Sequence, residues 1–107
     1  MSAYAYINGE ISCDEYLDSD IEGLFDQEFI SGLNLYAKAN EGYLFSFGVK
    51  ECRLKYLFEL FEKLAKAQSL ESEYIEAYIL IRYESENDRV DCIKIYKGTI
   101  SHRKTSD

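Results

Sequence analysis

The chain has 107 residues, 47% hydrophobic and 30% charged, so it can form one hydrophobic core and is too apolar for a disordered acidic tail. Its formal net charge of -8 argues against direct binding to nucleic acid or to an anionic membrane, because both would repel it. The sequence lacks a secretory signal and a transmembrane stretch. We therefore expect a cytoplasmic protein with a single domain spanning residues 1–107.

The cysteine and histidine content argues against a metal site, a disulfide framework and catalysis. Cys13, Cys52 and Cys92 are widely spaced and form no Cys-x-x-Cys pair, and the sole histidine is His102. An odd number of distant cysteines favours reduced thiols. The chain also has no Gly-x-Ser-x-Gly motif and no Gly-rich phosphate loop. The sequence thus predicts no enzyme, no metal site and no cofactor.

The first predicted element is a β-hairpin. Ala3 to Ile7 is typical of a strand, and Asn8-Gly9 is a strong two-residue turn signal, since both residues tolerate positive φ. The return strand would run from Glu10 to Cys13. As an alternative, Ser12 could cap a helix that begins at Cys13, with Glu15 completing a capping box.

The second predicted element is a short acidic helical segment over residues 13–27. Four apolar residues fall on one helical stripe, while acids recur every four residues on a neighbouring stripe. Gly23 in its interior weakens the helix by roughly 1 kcal/mol relative to Ala. The apolar stripe comprises Leu17, Ile21, Leu24 and Phe25, and the acidic stripe comprises Asp14, Asp18, Glu22 and Asp26.

The next two elements are a hairpin and a long amphipathic helix. Residues alternate from Gly32 to Lys38, a turn follows at Asn40 to Gly42, and the returning strand places its aromatic residues on one face. From about residue 50 to residue 68 the period becomes helical. The strand face comprises Tyr43, Phe45, Phe47 and Val49, and the helical stripe comprises Leu54, Leu57, Phe58, Phe61, Leu64 and Ala65.

The last third of the chain predicts a third hairpin followed by a flexible tail. Residues 74–83 are apolar on both faces, which is typical of a central strand, and residues 89–97 form its partner after a turn at 85–88. From Gly98 to Asp107 the chain is polar and mildly basic. We therefore expect residues 98–107 to be a flexible tail.

Together these elements predict an α+β fold: an antiparallel sheet built from hairpins, with the long helix on one face. The face under the helix would carry Ile75, Ala77, Ile79 and Ile81, and the opposite face Tyr36, Leu44, Tyr74, Tyr78, Leu80 and Tyr96. So much apolar surface must be covered by the acidic segment or by a partner. We expect the acidic segment to cover it through its apolar stripe.

The charge of the chain is strongly segregated. All eight charges in the first 37 residues are negative, whereas twelve acids balance twelve Lys and Arg from Lys38 onward. Each like-charge pair at four-residue spacing costs a helix about 0.2–0.5 kcal/mol, so we interpret the segment as a docking surface for a basic partner. The predicted partner-binding residues are Asp14, Glu15, Asp18, Asp20, Glu22, Asp26 and Glu28, with Tyr16 as an aromatic anchor.

A calcium-binding loop is an alternative interpretation of the same segment. Residues 18–26 resemble the start of an EF-hand loop, with oxygen-bearing side chains at positions 1, 3, 5 and 9 and Gly23 at position 6. Position 12 should be a bidentate Glu, but it is Phe29, and Glu28 lies one place early. The match therefore lacks its anchoring ligand.

In size, charge layout and tyrosine content, the whole chain resembles the immunity proteins that bacteria make against their own toxins, including those of contact-dependent growth inhibition systems and nuclease colicins. The resemblance implies a small, acidic, cytoplasmic antitoxin that neutralises a basic nuclease domain by protein–protein interaction. An alternative is a phage-type inhibitor that mimics nucleic acid to block a restriction or CRISPR nuclease.

Overall fold

The computed structural model describes residues 3–13, 23, 25–37, 42–71, 75–86, 88–96 and 98–105. They include a six-stranded antiparallel sheet and an α-helix of 18 residues, so the predicted α+β class is confirmed. The elements are β1 (Tyr4–Cys13), β2 (Ser31–Ala37), β3 (Tyr43–Lys50), α1 (Leu54–Glu71), β4 (Ile75–Tyr83), β5 (Val90–Tyr96) and β6 (Thr99–Thr105). The strand order across the sheet is β2-β3-β1-β4-β5-β6.

The first strand is continuous, so the predicted hairpin at Asn8-Gly9 is wrong. β1 pairs with β3 on one side and with β4 on the other, which makes it a central strand. Gly9 lies opposite Phe45 and Ile79, and a Cβ atom there would come within 2.6 Å of the Phe45 ring. The glycine is required for close packing of that ring. The alternative helix cap at Ser12 is wrong as well, because Ser12 lies within β1.

The helix begins later and ends later than the sequence predicts. Lys50 ends β3, and Glu51–Arg53 forms a 3-10 turn before α1 starts at Leu54. α1 has 18 residues and ends at Glu71. Its buried side chains are Leu54, Leu57, Phe61, Leu64 and Ala65, while Phe58 is partly buried. Within the described part of the chain, no helix is long and apolar enough to span a membrane.

A single hydrophobic cluster joins the helix to one face of the sheet. In β1, β3, β4 and β5 the residues of this cluster lie on one face, and the residues between them are exposed or partly buried, as the alternating pattern predicts. The β4 residues that we predicted under the helix, Ala77, Ile79 and Ile81, are all buried, whereas the side chain of Ile75 lies outside the described ones. The other buried strand residues are Ala5, Ile7, Ile11, Tyr43, Phe45, Phe47, Val49, Tyr83, Ile93 and Ile95.

Residues 99–105 are not a flexible tail. They form β6, which pairs with β5 from Tyr96 opposite Thr99 to Val90 opposite Thr105. Two contacts attach this edge strand to the core: Ile100 packs against the hydrophobic cluster, and the His102 ring lies 5.2 Å from the Phe58 ring on α1. These two contacts explain why residues 99–105 form a regular strand, although they are as polar as a typical flexible tail.

Most of the predicted acidic helix lies outside the described residues. Gly23 and Phe25 are helical, whereas residues 14–22 and Leu24 are not described. Phe25 is buried, and its ring lies 4.8 Å from Phe45 and 5.8 Å from Phe47, on the helix-covered face of the sheet. The expectation that Phe25 covers the opposite face is therefore wrong.

We predict that Gly9→Ala destabilises the protein by about 1–3 kcal/mol, because the added methyl group would overpack the Phe45 ring. Urea unfolding of the variant measures the loss. Gly23→Ala is the matched control, since a Cβ atom there meets nothing within 4 Å and Ala favours a helix by up to about 1 kcal/mol. Equal stability of Gly9→Ala and the wild type would contradict the packing role of Gly9.

Candidate functional site

One face of the sheet is exposed and rich in tyrosine. The strand register brings residues that are far apart in the sequence into rows across this face. One row consists of Tyr36, Leu44, Glu10, Tyr78 and Lys94, on β2, β3, β1, β4 and β5 respectively. We call this side of the sheet, which faces away from α1, the open face.

The open face carries five large side chains with high exposure: Tyr36 (62%), Tyr96 (52%), Tyr6 (48%), Leu44 (46%) and Tyr78 (44%). An antiparallel sheet with one solvated face normally presents polar residues there. A group of exposed aromatic side chains instead is typical of a protein-binding surface, where tyrosine contributes rigid contact area. The open face is therefore the strongest candidate binding surface among the described residues.

The sequence predicts the composition of this face but not its exposure. Tyr36, Leu44, Tyr78 and Tyr96 lie on it as expected and Leu80 is partly buried, while Tyr74 lies outside the described residues. Tyr6 was missed because the predicted hairpin turned the chain after Ile7. The alternation of Tyr4 and Tyr6 with the buried Ala5 and Ile7 was the available signal.

A groove of about 870 Å³ crosses the open face where β1, β4, β5 and β6 meet. Its lining includes Glu10, Glu76, Tyr78, Lys94 and Tyr96. The Lys94 ammonium nitrogen lies 5.5 Å from the centre of the Tyr78 ring. The groove therefore brings two carboxylates, one ammonium group and two aromatic rings together.

At the other end of the open face, Tyr6 is held by an acid. Its hydroxyl donates a hydrogen bond to Oε2 of Glu84 at 3.0 Å, and this bond raises the pKa of Tyr6. Nearby, a second depression of about 550 Å³ is lined in part by Asn8, Ser46 and Gly48. Small side chains therefore leave a hollow between the exposed rings.

Two of the predicted partner-binding residues can be placed. Asp26 and Glu28 are both exposed. Glu28 borders a cavity of about 270 Å³ together with Lys50 and Arg53, so basic side chains lie beside it. The remaining predicted residues, namely Asp14, Glu15, Tyr16, Asp18, Asp20 and Glu22, lie outside the described residues. In the described part of the chain, no group of three or more His, Cys, Asp or Glu could hold a metal ion.

A second polar cluster surrounds Asp91, the one buried charged residue among those described. Arg89 donates to both carboxylate oxygens, from Nε at 3.0 Å and from Nη2 at 3.2 Å. The Tyr83 hydroxyl donates to Oδ2 at 2.9 Å, and His102 Nε2 lies 2.8 Å from the same oxygen. Four hydrogen bonds thus compensate for the desolvation of one carboxylate.

The titration behaviour of Asp91 follows from these contacts. Burial alone would raise the pKa of Asp91, but the hydrogen bonds from Arg89, His102 and Tyr83 outweigh burial and hold it below its ordinary value. Burial and the bond to Asp91 raise the pKa of Tyr83, which keeps its hydroxyl protonated as a donor. The Asp91 carboxylate therefore stays ionised and saturated with donors.

The Asp91 cluster stabilises the edge of the sheet and acts as a brace, by which we mean a set of side-chain hydrogen bonds that ties neighbouring strands together. It joins β4, β5 and β6 through side chains from each strand, and Arg89 also covers the Tyr83 ring at 4.2 Å. One feature of the sequence indicates this cluster: Asp91 occupies a core-facing position in the alternating pattern with Ile93 and Ile95. A carboxylate at such a position requires a buried partner.

We predict that Asp91 makes the protein's stability depend on pH below about 4. The depressed pKa means that its contribution is fully present above its ordinary value of 3.8 and is lost as pH falls through the folded-state value. Asp91→Asn should reduce the free energy of unfolding by about 2–3 kcal/mol at pH 6, because Arg89 and His102 lose a charged acceptor. Urea unfolding across pH measures the difference.

The gap between wild type and Asp91→Asn should shrink as the pH falls below 3.8. Asp88→Asn is the matched control, because Asp88 is exposed and should leave stability nearly unchanged throughout. A gap that does not change with pH would show that the carboxylate charge is not what stabilises the edge.

Comparison of the chain with protein-family models, with curated proteins and with solved structures found no match. Inferences about its function therefore come from the chain's own charge distribution and from the geometry of the open face.

Proposed function

We propose that the protein is a non-catalytic inhibitor that binds a basic protein partner, a toxin nuclease of the kind neutralised by bacterial immunity proteins. The observation that supports this proposal most directly is the open face. Its exposed tyrosines supply the rigid aromatic side chains that dominate binding energy in protein interfaces. Their placement on a sheet keeps them pre-organised, which lowers the entropic cost of binding.

The charge of the chain supports a basic partner. Residues 1–37 carry all of the net charge of -8, and their first acid, Glu10, lies on the open face between Leu44 and Tyr78. The open face therefore includes the first acid of the negatively charged third of the chain. Such a layout attracts a positively charged protein over long distances and then holds it by apolar contact.

A nuclease is the partner class that best fits this combination. A nuclease cleft binds phosphates and is lined with Lys and Arg. A segment with eight carboxylates between Glu10 and Glu28 offers such a cleft negative charges in place of phosphates. Tyrosine contacts beside the cleft would slow dissociation and make the inhibition persist.

We predict that reversing the acidic segment abolishes partner binding without a general charge effect. The variant carries Asp14→Lys, Asp18→Lys and Glu22→Lys, and the control carries Glu59→Lys, Glu62→Lys and Asp88→Lys at exposed sites elsewhere. Both variants have the same net charge. The tagged proteins are purified from their native cells at low salt, and the bound partner is identified by mass spectrometry.

The expected partner is a basic protein that moderate salt releases and whose nuclease activity on plasmid DNA is suppressed by an equimolar amount of the wild type. The control should still bind and inhibit it, and the acidic-segment variant should not. Equal binding by both variants would show that the acidic segment is not the docking surface. A bound partner without nuclease activity would refute the assignment to a nuclease.

We also predict that the open face controls the lifetime of the complex. Tyr36→Ala should increase the dissociation rate of the purified partner by tenfold or more, corresponding to about 2 kcal/mol for an interface anchor. Surface plasmon resonance measures the rate. Tyr56→Ala is the control, since Tyr56 is an exposed tyrosine of α1 and not of the open face. Equal effects of the two substitutions would contradict binding through the open face.

A further inference from the structure

We propose that a hollow on the open face, centred on Gly48, binds an aromatic side chain of the partner, namely that of a tyrosine or a tryptophan. The hollow is the depression of about 550 Å³ described above, and we call it the Gly48 hollow. The inference rests on the proposed function, because it names one contact that the basic partner would make with the open face.

Missing side chains on neighbouring strands create the Gly48 hollow. Gly48 on β3 lies directly between Tyr6 on β1 and Ser31 on β2. The pairing of β2 with β3 is irregular between Ser31 and Asn34, and Gly32 within this irregularity has no side chain either. Both glycines line the hollow. The gap in the layer of side chains is therefore formed by the strands of the sheet themselves.

Nothing in the described part of the chain requires a glycine at position 48. A Cβ atom added there would lie 3.5 Å from the Tyr4 ring, which is an ordinary van der Waals distance, and the backbone of Gly48 is not in the left-handed region. Gly9 differs, since a Cβ atom there would come within 2.6 Å of the Phe45 ring. Glycine also weakens a strand relative to residues that have a side chain. The empty space above Gly48 is therefore better explained by binding than by packing.

The chemistry of the Gly48 hollow selects an uncharged aromatic group. All residues that line it are uncharged, whereas the groove at the other end of the open face contains two carboxylates and an ammonium group. A charged side chain entering the hollow would lose water without gaining an ion-pair partner. The rings of Tyr4 and Tyr6 form part of its wall. Aromatic rings attract one another in edge-to-face and offset-stacked contacts beyond the effect of buried area.

Polar groups in the hollow favour tyrosine and tryptophan over phenylalanine. Asn8, Ser31 and Ser46 add uncharged hydrogen-bonding groups to its lining. The rings of tyrosine and tryptophan carry an O–H or N–H group that needs such a partner when it is buried. The wall is also fixed in advance, because the Tyr6 hydroxyl donates a hydrogen bond to Glu84 at 3.0 Å. A fixed wall lowers the entropic cost of binding.

The experiment measures how four N-acetyl amino acid amides bind to the full chain, using those of tryptophan, tyrosine, leucine and arginine. Amide NMR spectra locate each binding site and give its affinity. We expect the tryptophan and tyrosine amides to shift the resonances of Tyr6, Ser31 and Gly48, and to bind about threefold or more tightly than the leucine amide. The arginine amide should shift none of these resonances, because the hollow has no acid to pair with its charge.

Substitutions of Gly48 test the site without disrupting the sheet. Gly48→Val should fill the hollow and weaken binding of the tryptophan amide by about tenfold or more, and Gly48→Ala should weaken it less. Both variants should unfold at the wild-type temperature or above it, because the added Cβ atom makes an ordinary contact. Ser101→Val is the matched control, since it adds the same side chain at an exposed site of the open face outside the hollow and should bind the amide like the wild type.

Three results would overturn the inference. Equal affinity for the tryptophan and leucine amides would show that the hollow does not select aromatic rings. Unchanged binding by Gly48→Val would place the amide elsewhere on the protein. A lower unfolding temperature of Gly48→Ala would show that packing requires the glycine, which removes the reason for assigning the space to a ligand.

The cellular partner separates this inference from the proposed function. Gly48→Val should increase the dissociation rate of the purified basic partner by about tenfold or more, as expected when an interface anchor loses its pocket. An unchanged rate would show that no side chain of the partner enters the hollow, and the inhibitor function would stand. Conversely, selective binding of the tryptophan amide in the hollow without any basic cellular partner would refute the inhibitor and leave the aromatic site in place.

Discussion

In the part of the chain that the structure describes, α1 and Phe25 cover one face of the sheet, and this arrangement determines what the rest of the molecule can do. Six strands alternate their side chains between two faces, and α1 with Phe25 covers one of them. The second face can then be neither a second core nor an ordinary polar surface, because its tyrosines are exposed. An exposed aromatic face is costly in water, and this cost is the physical reason for proposing that a partner binds there.

The central strand β1 contributes residues both to the core and to the candidate binding surface. Gly9 on β1 gives the Phe45 ring room on the buried side, while Glu10 projects into the groove on the open side. Pairing of β1 with both β3 and β4 brings residues from the first and last thirds of the chain into the same row. The candidate site is therefore a product of tertiary pairing, and no local motif encodes it.

The spacing of apolar residues in the sequence correctly predicted those elements that are determined by residues close together in the chain. The α+β class, the hairpin of β2 and β3, and the stripe of α1 follow from periodicity that nearby residues share. The predicted hairpin at Asn8-Gly9 is wrong because glycine occurs both in tight turns and at positions where a neighbouring side chain packs closely against the backbone. The sequence alone does not distinguish these two uses of glycine. Local sequence could not predict the strand β6 either, because this strand depends on contacts of His102 with Asp91 and Phe58. The groove could not be foreseen because its acids and tyrosines meet only through the strand register.

The two polar clusters of the sheet are separated by face, and this separation has a functional consequence. Asp91 and its donors lie on the helix-covered side and brace the edge of the fold, whereas Glu10 and Glu76 line the groove on the open side. Buried ion pairs tolerate little change, while exposed charges contribute little to stability. Glu10 and Glu76 can therefore be replaced at little cost in stability, whereas Asp91 and its donors cannot. For the proposed inhibitor, this division would allow the open face to change partner specificity while the fold is kept.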